Sequence, residues 1–257
     1  MLSRGRVRVN GEPCQIAARR IKVGDVVEIG RKPVPVASAF DLEIVWEDPW
    51  LVVVHKPAGL LTVSTLHERE RTVYSLLRAH LKARSPRQNA FVVHRLDKFV
   101  SGLLVFAKSE RVQEELKKLF ARHAIERRYW AVVEGRIAKD HGTVRSRLVE
   151  GPNMRVRSTM DEKEGKPAIT HYRVLRRFPN LTALEITLET GRKNQIRVHM
   201  SELKHPIAGD KAYGSRINPL GRLALHAFCL GFRHPMQGTS LDFKTDAPAE
   251  FRPYLPK

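Results

Sequence analysis

Short apolar runs of strand character outnumber helical stretches along this 257-residue chain and do not alternate strictly with them. Such an order argues against a doubly wound parallel sheet and predicts an α+β fold with a mixed, mainly antiparallel sheet and flanking helices. Residues 51–54 are a short apolar run stopped by Lys56-Pro57-Ala58-Gly59, as a buried strand ending in a turn would be. Residues 72–81 place Val73, Leu76, Leu77 and Leu81 on one helical face. Strands are expected at 91–93 and 103–107, separated by the loop HRLDKFVSG. A second helix should begin at Ser109 as N-cap, with Val112, Leu116, Leu119 and Phe120 as its apolar stripe. Further strands are expected at 129–133, 168–174 and 181–188, followed by helical spacing of Ile196, Met200 and Leu203.

The first 34 residues are different. Val7 and Val9 alternate with arginines, Asn10-Gly11 supplies a tight turn, and Val26, Val27 and Ile29 follow a Gly24-Asp25 turn. Arg19, Arg20 and Lys22 form a basic cluster between them. A unit this small cannot bury much and must lean on something or be the remainder of a larger module. Residues 35–43, within a proline-bearing stretch, read as a linker, and 44–257 as the main domain.

Charge narrows the function. The chain carries 46 Lys plus Arg against 27 Asp plus Glu, a formal net charge of +19, and such a surface attracts polyanions. Residues 71–128 hold 14 basic against 5 acidic side chains, a local net of +9. Forty-two percent hydrophobic residues suffice for a core, which argues against a disordered basic tail. No stretch approaches the ~20 apolar residues of a membrane span, and the N-terminus lacks the apolar core of a signal peptide. Cys14 and Cys229, far apart, make no disulfide framework, so a reducing cytoplasmic compartment is expected.

Several chemistries have no motif here. There is no GxxxxGK[ST] loop, no GxGxxG after a strand, no HExxH, no CxxC and no GxSxG. His199, His205, His226 and His234 gather in the C-terminal third, where hydrogen-bonded structural or RNA-contacting roles outweigh metal ligation. An enzyme of this sequence should work without a metal or nucleotide cofactor.

Two segments stand out. In residues 92–109, Arg95 and Asp97 lie two apart on a loop between strands, where chemistry tends to be placed. Spacing alone also fits an ordinary turn whose Asp bonds its own backbone. In LETGRKNQIRVHM, Arg192, Lys193 and Arg197 surround Asn194 and Gln195 where a strand gives way to a helix, a suitable place for a phosphate or carboxylate. Gly191, Gly209 and Gly214 read most simply as turn residues.

HRLDKFVSGLLVFAK resembles the HRLDxxTSGLLLxAK signature of the RluA-type RNA pseudouridine synthases. The likeness runs on through EDPWLVVVHKPAGLL, ERRYWAVVEG, TGRKNQIRVHM with HPIAGDKAYG, and RLALHA with FRHP, over nearly all of residues 44–257. Residues 1–34 resemble the second half of an S-four-type RNA-binding domain, through GRVRVNG and VGDVVEI. The helices that should precede these are mostly missing, which implies a truncated chain or a gene start placed late.

The resemblance implies an isomerase with a central RNA-binding cleft that converts uridine within RNA to pseudouridine. Asp97 aligns with the family's nucleophilic aspartate, and whether it attacks ribose or base, or first takes a sugar proton, stays open. Arg197 matches the arginine that pairs with it, and Tyr129 the tyrosine that stacks on uracil and helps remove the C5 proton. Arg95 would fill the gap left by a flipped base. His94, Lys56, Arg192 and Lys193 are candidate RNA contacts, with Lys56 alternatively placing the loop, and Leu96 and Ile196 candidate pocket walls. Val100 stands where the family has Thr, and Asn194 where it has a histidine. Asn194 cannot titrate, which argues against proton transfer at that position. The implied partner is structured RNA, large-subunit rRNA ahead of tRNA, acted on by a monomer. The rival is a non-catalytic RNA-binding or ribosome-assembly factor of the same fold.

Overall fold

The computed structural model describes residues 7–13, 21–30, 42–65, 68, 70–151, 155–161 and 163–256. Backbone contacts divide the chain into two compact units, Met1–Asp41 and Leu42–Lys257. The expected basic cluster at Arg19 and Arg20, Cys14, and most of the expected linker lie outside the described residues.

In the first unit, β1 (Val7–Val9) pairs antiparallel with both β2 (Glu12–Pro13) and β3 (Val27–Ile29). Asn10 and Gly11 both have positive φ, 55° and 79°, the backbone that a two-residue hairpin turn needs. The Asn10 side chain then ties the β2–β3 connection back, donating to Asp25 Oδ1 at 2.9 Å and accepting from Val26 N–H at 2.8 Å.

The second unit is built on one 11-stranded sheet. In chain order it comprises β4 (Glu43–Glu47), β5 (Leu51–Lys56), α1 (Val73–Arg84), β6 (Phe91–Val92), β7 (Ser101–Ala107) and α2 (Glu110–Ala121). Then come β8 (Glu126–Glu134), β9 (His141–Glu150), β10 (Val156–Thr159), β11 (Lys166–Arg177), β12 (Leu181–Leu188), α3 (Gln195–Glu202), β13 (Leu225–Arg233) and β14 (Ser240–Lys244). The order across the sheet is β10-β9-β11-β12-β8-β13-β7-β5-β4, with β14 added on β13 and β6 on β7. Every pairing in this sheet is antiparallel except β13 with β7. The expected mixed, mainly antiparallel α+β fold is what the chain adopts.

The helices form where the sequence predicts. Thr72 caps α1 by accepting from Ser75 N–H, and Val73, Leu77 and Leu81 are its buried stripe. Ser109 caps α2 by accepting from Val112 N–H, and Val112 and Leu116 enter a core with Leu51, Val53, Leu103, Val105 and Leu230. β7 is buried at every position, as a strand covered on both faces must be. Its close approach to β13 depends on Gly102, at φ 120°, where an added Cβ would lie 2.1 Å from the Ala227 carbonyl oxygen. That packing fixes the end of the loop that enters β7, and the pairing of β6 with β7 fixes its start.

Candidate active site

Asp97 sits on the loop between β6 and β7, and the loop is held from below. Lys56, at the end of β5, is fully buried and donates to the carbonyls of Pro57, Leu60 and Lys98 at 3.0, 2.8 and 3.0 Å. Gly59 N–H donates to the same Lys98 carbonyl at 2.9 Å. The Thr62 hydroxyl donates to Leu96 O at 2.7 Å and accepts from Leu96 N–H at 3.2 Å. On the other side Arg222 donates to Ser101 Oγ at 2.7 Å while pairing with Glu250 at 3.0 Å. The loop cannot drift without breaking several buried bonds at once.

Helix α3 brings Arg197 to this loop. Its Nε and Nη2 donate to the two oxygens of Asp210 at 2.7 and 2.8 Å, a bidentate pair, and Nη1 donates to Asp97 Oδ2 at 3.3 Å and Asn194 Oδ1 at 3.2 Å. The guanidinium also lies over the Tyr213 ring, 4.8 Å from its centroid. Burial alone would pull the Arg197 pKa down. The Asp210 bonds and then the Asp97 carboxylate outweigh it and hold the group above its usual value. Asp97 therefore faces a cation that is fixed by another acid. Among the described residues, no other side chain bonds its carboxylate.

Tyr129, on β8, completes the group. It is 6% exposed, and burial, with a smaller push from Asp97, raises its phenol pKa while Arg127 opposes the shift. Asp97, Tyr129 and Arg197 line one pocket together with Arg95, Leu96, Val100, Leu188, Arg192, Asn194, Gln195, Ile196 and Leu225. A cavity of about 540 Å³ adjoins it and shares Arg95, Asp97, Tyr129, Arg192 and Asn194. Residues 97, 129 and 197 thus converge from a loop, a strand and a helix.

The other expected site residues divide. Arg95 is exposed at the rim, and Leu96 and Ile196 are buried pocket walls. Arg192 is exposed and Lys193 half-buried on the turn before α3, where Arg192 Nε donates to Pro167 O at 3.0 Å and Lys193 pairs with Glu150. Lys56 is a correction: with no exposed surface and three carbonyl partners it holds the loop and cannot touch RNA. His94 is another in part. It lines the larger cavity, but its Nε2 accepts the Val105 N–H at 3.1 Å, and burial, reinforced by Arg127, pushes its pKa down to about 3. A neutral ring with its acceptor used is not a phosphate-binding cation. Gly191 is also not a positive-φ turn residue: an added Cβ there would meet Arg127 Nη1 at 2.5 Å.

Asp210, Tyr213 and Arg127 were not singled out by sequence reasoning, although the motifs quoted above contain all three. The four C-terminal histidines have separate partners: His199 on Thr170 and Ser146, His205 on Glu134 O, His226 on Ser101 and Thr245, His234 on Asp48.

The RNA pseudouridylate synthase family model matches residues 50–202, a span that includes Asp97, Tyr129 and Arg197. This chain belongs to that family. The synthase is therefore an isomerase with an RNA substrate. It is 36% identical to the ribosomal large subunit pseudouridine synthase D of Neisseria meningitidis serogroup A over 96% of its own length and 70% of the relative's. It is 38% identical to an uncharacterized RNA pseudouridine synthase, YlyB, of Bacillus subtilis over 96% and 83% of the two chains. Its fold matches human RNA pseudouridylate synthase domain containing 4 with a TM-score of 0.68 at 25% identity, covering 82% of the synthase and 90% of the human chain. An S4 domain model matches residues 1–27.

Proposed function

We propose that the synthase converts uridine to pseudouridine in large-subunit ribosomal RNA, with Asp97 as nucleophile, Arg197 as its orienting cation and Tyr129 as the residue facing the base. The carrying observation is the Asp97–Arg197 contact at 3.3 Å inside a pocket that Tyr129 also lines. Support for this target comes from the relative of N. meningitidis, whose name states the ribosomal large subunit. The basic charge and the S4 match agree with a structured RNA, and the cytoplasm is where such RNA would be met.

The reaction breaks the bond from ribose C1′ to uracil N1 and joins C1′ to C5. C5 loses a proton and N1 gains one. Arg197 uses one nitrogen on Asp97, so the second carboxylate oxygen remains available to attack either ribose C1′ or the uracil ring. Leu96, Val100 and Ile196 make the surrounding wall apolar, which sharpens that charge. The uracil would stack on Tyr129. Burial raises its phenol pKa in the free protein, so a late role at C5 requires the phenolate to form in the complex. Arg95, exposed at the rim, would take the place of the flipped base.

The test is tritium release from RNA labelled at uridine C5. Asp97→Asn, nearly isosteric, should abolish release while folding and RNA binding persist. Release at the wild-type rate by this variant would end the assignment. Pseudouridine mapping across total RNA with and without the protein should show the lost sites in large-subunit rRNA. Sites lost only from tRNA would replace that target.

A further inference from the structure

Among the described residues, Arg127 is a buried cation with no carboxylate partner. It is 7% exposed, its Nε is buried with no hydrogen-bond partner, and its Nη2 reaches only the Leu188 and Glu189 carbonyls, both at 3.5 Å. Its guanidinium lies over the Phe120 ring at 5.2 Å, and burial lowers its pKa, with the Tyr129 phenol rather than a carboxylate opposing the shift. The neighbouring Arg128, on the opposite face of β8, pairs with Glu126 at 2.8 Å. A buried, unpaired guanidinium is costly and is kept only where something delivers the missing charge.

Its position says what that is. Arg127 lies two residues before Tyr129 on the same face of β8, and it lines the 540 Å³ cavity that adjoins the Asp97 pocket. Arg95, Arg192 and His123 line the same cavity, and Asp97 is the only carboxylate among its lining residues. Gly191 covers the guanidinium closely, and any side chain there would strike it. An RNA strand that places its uracil against Asp97 and Tyr129 carries a phosphodiester into this space.

Resting on the RNA reading above, we propose that Arg127 is the buried anchor for a phosphodiester flanking the target uridine. Arg127 then selects RNA strands already threaded past Gly191, because its charge is satisfied only when the backbone enters the cavity. A phosphate held there also fixes how far the flipped nucleotide can slide across Asp97.

The experiment compares wild type, Arg127→Gln and Arg127→Lys on C5-tritiated total RNA from cells lacking the protein, which holds the true substrate whichever RNA it is. Arg127→Gln should raise KM at least tenfold with a smaller change in kcat. The slope of log kcat/KM against log salt should become shallower by about 0.7 to 0.9, the loss of one phosphate contact, and Arg127→Lys should restore it. The free Arg127→Gln protein should melt no lower than wild type, since it sheds an unpaired charge. Overturning results are an unchanged salt slope, a collapse of kcat at constant KM (which would assign Arg127 to Tyr129's proton), or failure of Arg127→Gln to fold. Absence of release by wild type would instead defeat the enzymatic reading.

Discussion

Asp210 is the residue on which the geometry at Asp97 turns. It is 3% exposed and holds Arg197 by two bonds, so that only one nitrogen is left over for Asp97. Asp210→Ala should cost about 1–3 kcal/mol in urea unfolding, since the half-buried Arg197 loses its bidentate partner and keeps only Asp97. It should also lower kcat at least tenfold in the tritium assay, because Arg197 would then swing onto Asp97. Tyr129→Phe separates stacking from proton transfer: RNA binding should hold while kcat falls. Unchanged turnover would reduce Tyr129 to a stacking surface. The sequence exposes these residues unequally. Asp97, Tyr129 and Arg197 are visible because each sits in a recognisable motif. Asp210 is written in HPIAGDKAYG, yet nothing local says that its partner lies 13 residues upstream on a helix. Arg127 is hidden for the opposite reason: it is one basic residue among 46, and only burial distinguishes it.

At the scale of elements, the chemistry rests on how the Asp97 loop is clamped. Lys56 supports it from β5, so Lys56→Met should leave the Pro57 and Leu60 carbonyls without this donor, and the Lys98 carbonyl with Gly59 N–H alone, and lower the unfolding free energy by about 1–3 kcal/mol. Its salt dependence of RNA binding should equal wild type, whereas a shallower slope would restore Lys56 as an RNA contact. The strands and helices around the loop were largely legible. The strand expected at 181–188 matches β12, and Ser109 caps α2 as predicted. β9 and β10 were missed because their alternation carries little grease. β9 sets His141, Thr143, Arg145 and Arg147 on one face against Gly142, Val144, Ser146 and Leu148 on the other. A half-polar inner face does not stand out from a solvated loop.

Across the molecule, the half-buried His94 and the buried His199 and His226 make the fold acid-sensitive. Burial lowers the pKa of His94 to about 3, of His199 to about 4 and of His226 to about 3, against 6.5 for a free imidazole. Between pH 6.5 and 4 the unfolded chain binds protons that the folded chain refuses, so stability is full above 6.5 and declines as pH falls. Urea midpoints should drop over that range, and His94→Gln should flatten the decline; a profile level down to pH 4 would show these imidazoles charged in the fold. The topology carries a consequence of its own. β13, residues 225–233, slots between β8 and β7, and its register sets Ala227 against both Tyr129 and Gly102. While a ribosome is still making the chain, β7 and β8 wait with unfilled borders for a strand that emerges about a hundred residues later. Closing the sheet beside the Asp97 loop is thus a late, long-range event, with two strand edges open to aggregation until the last strands arrive.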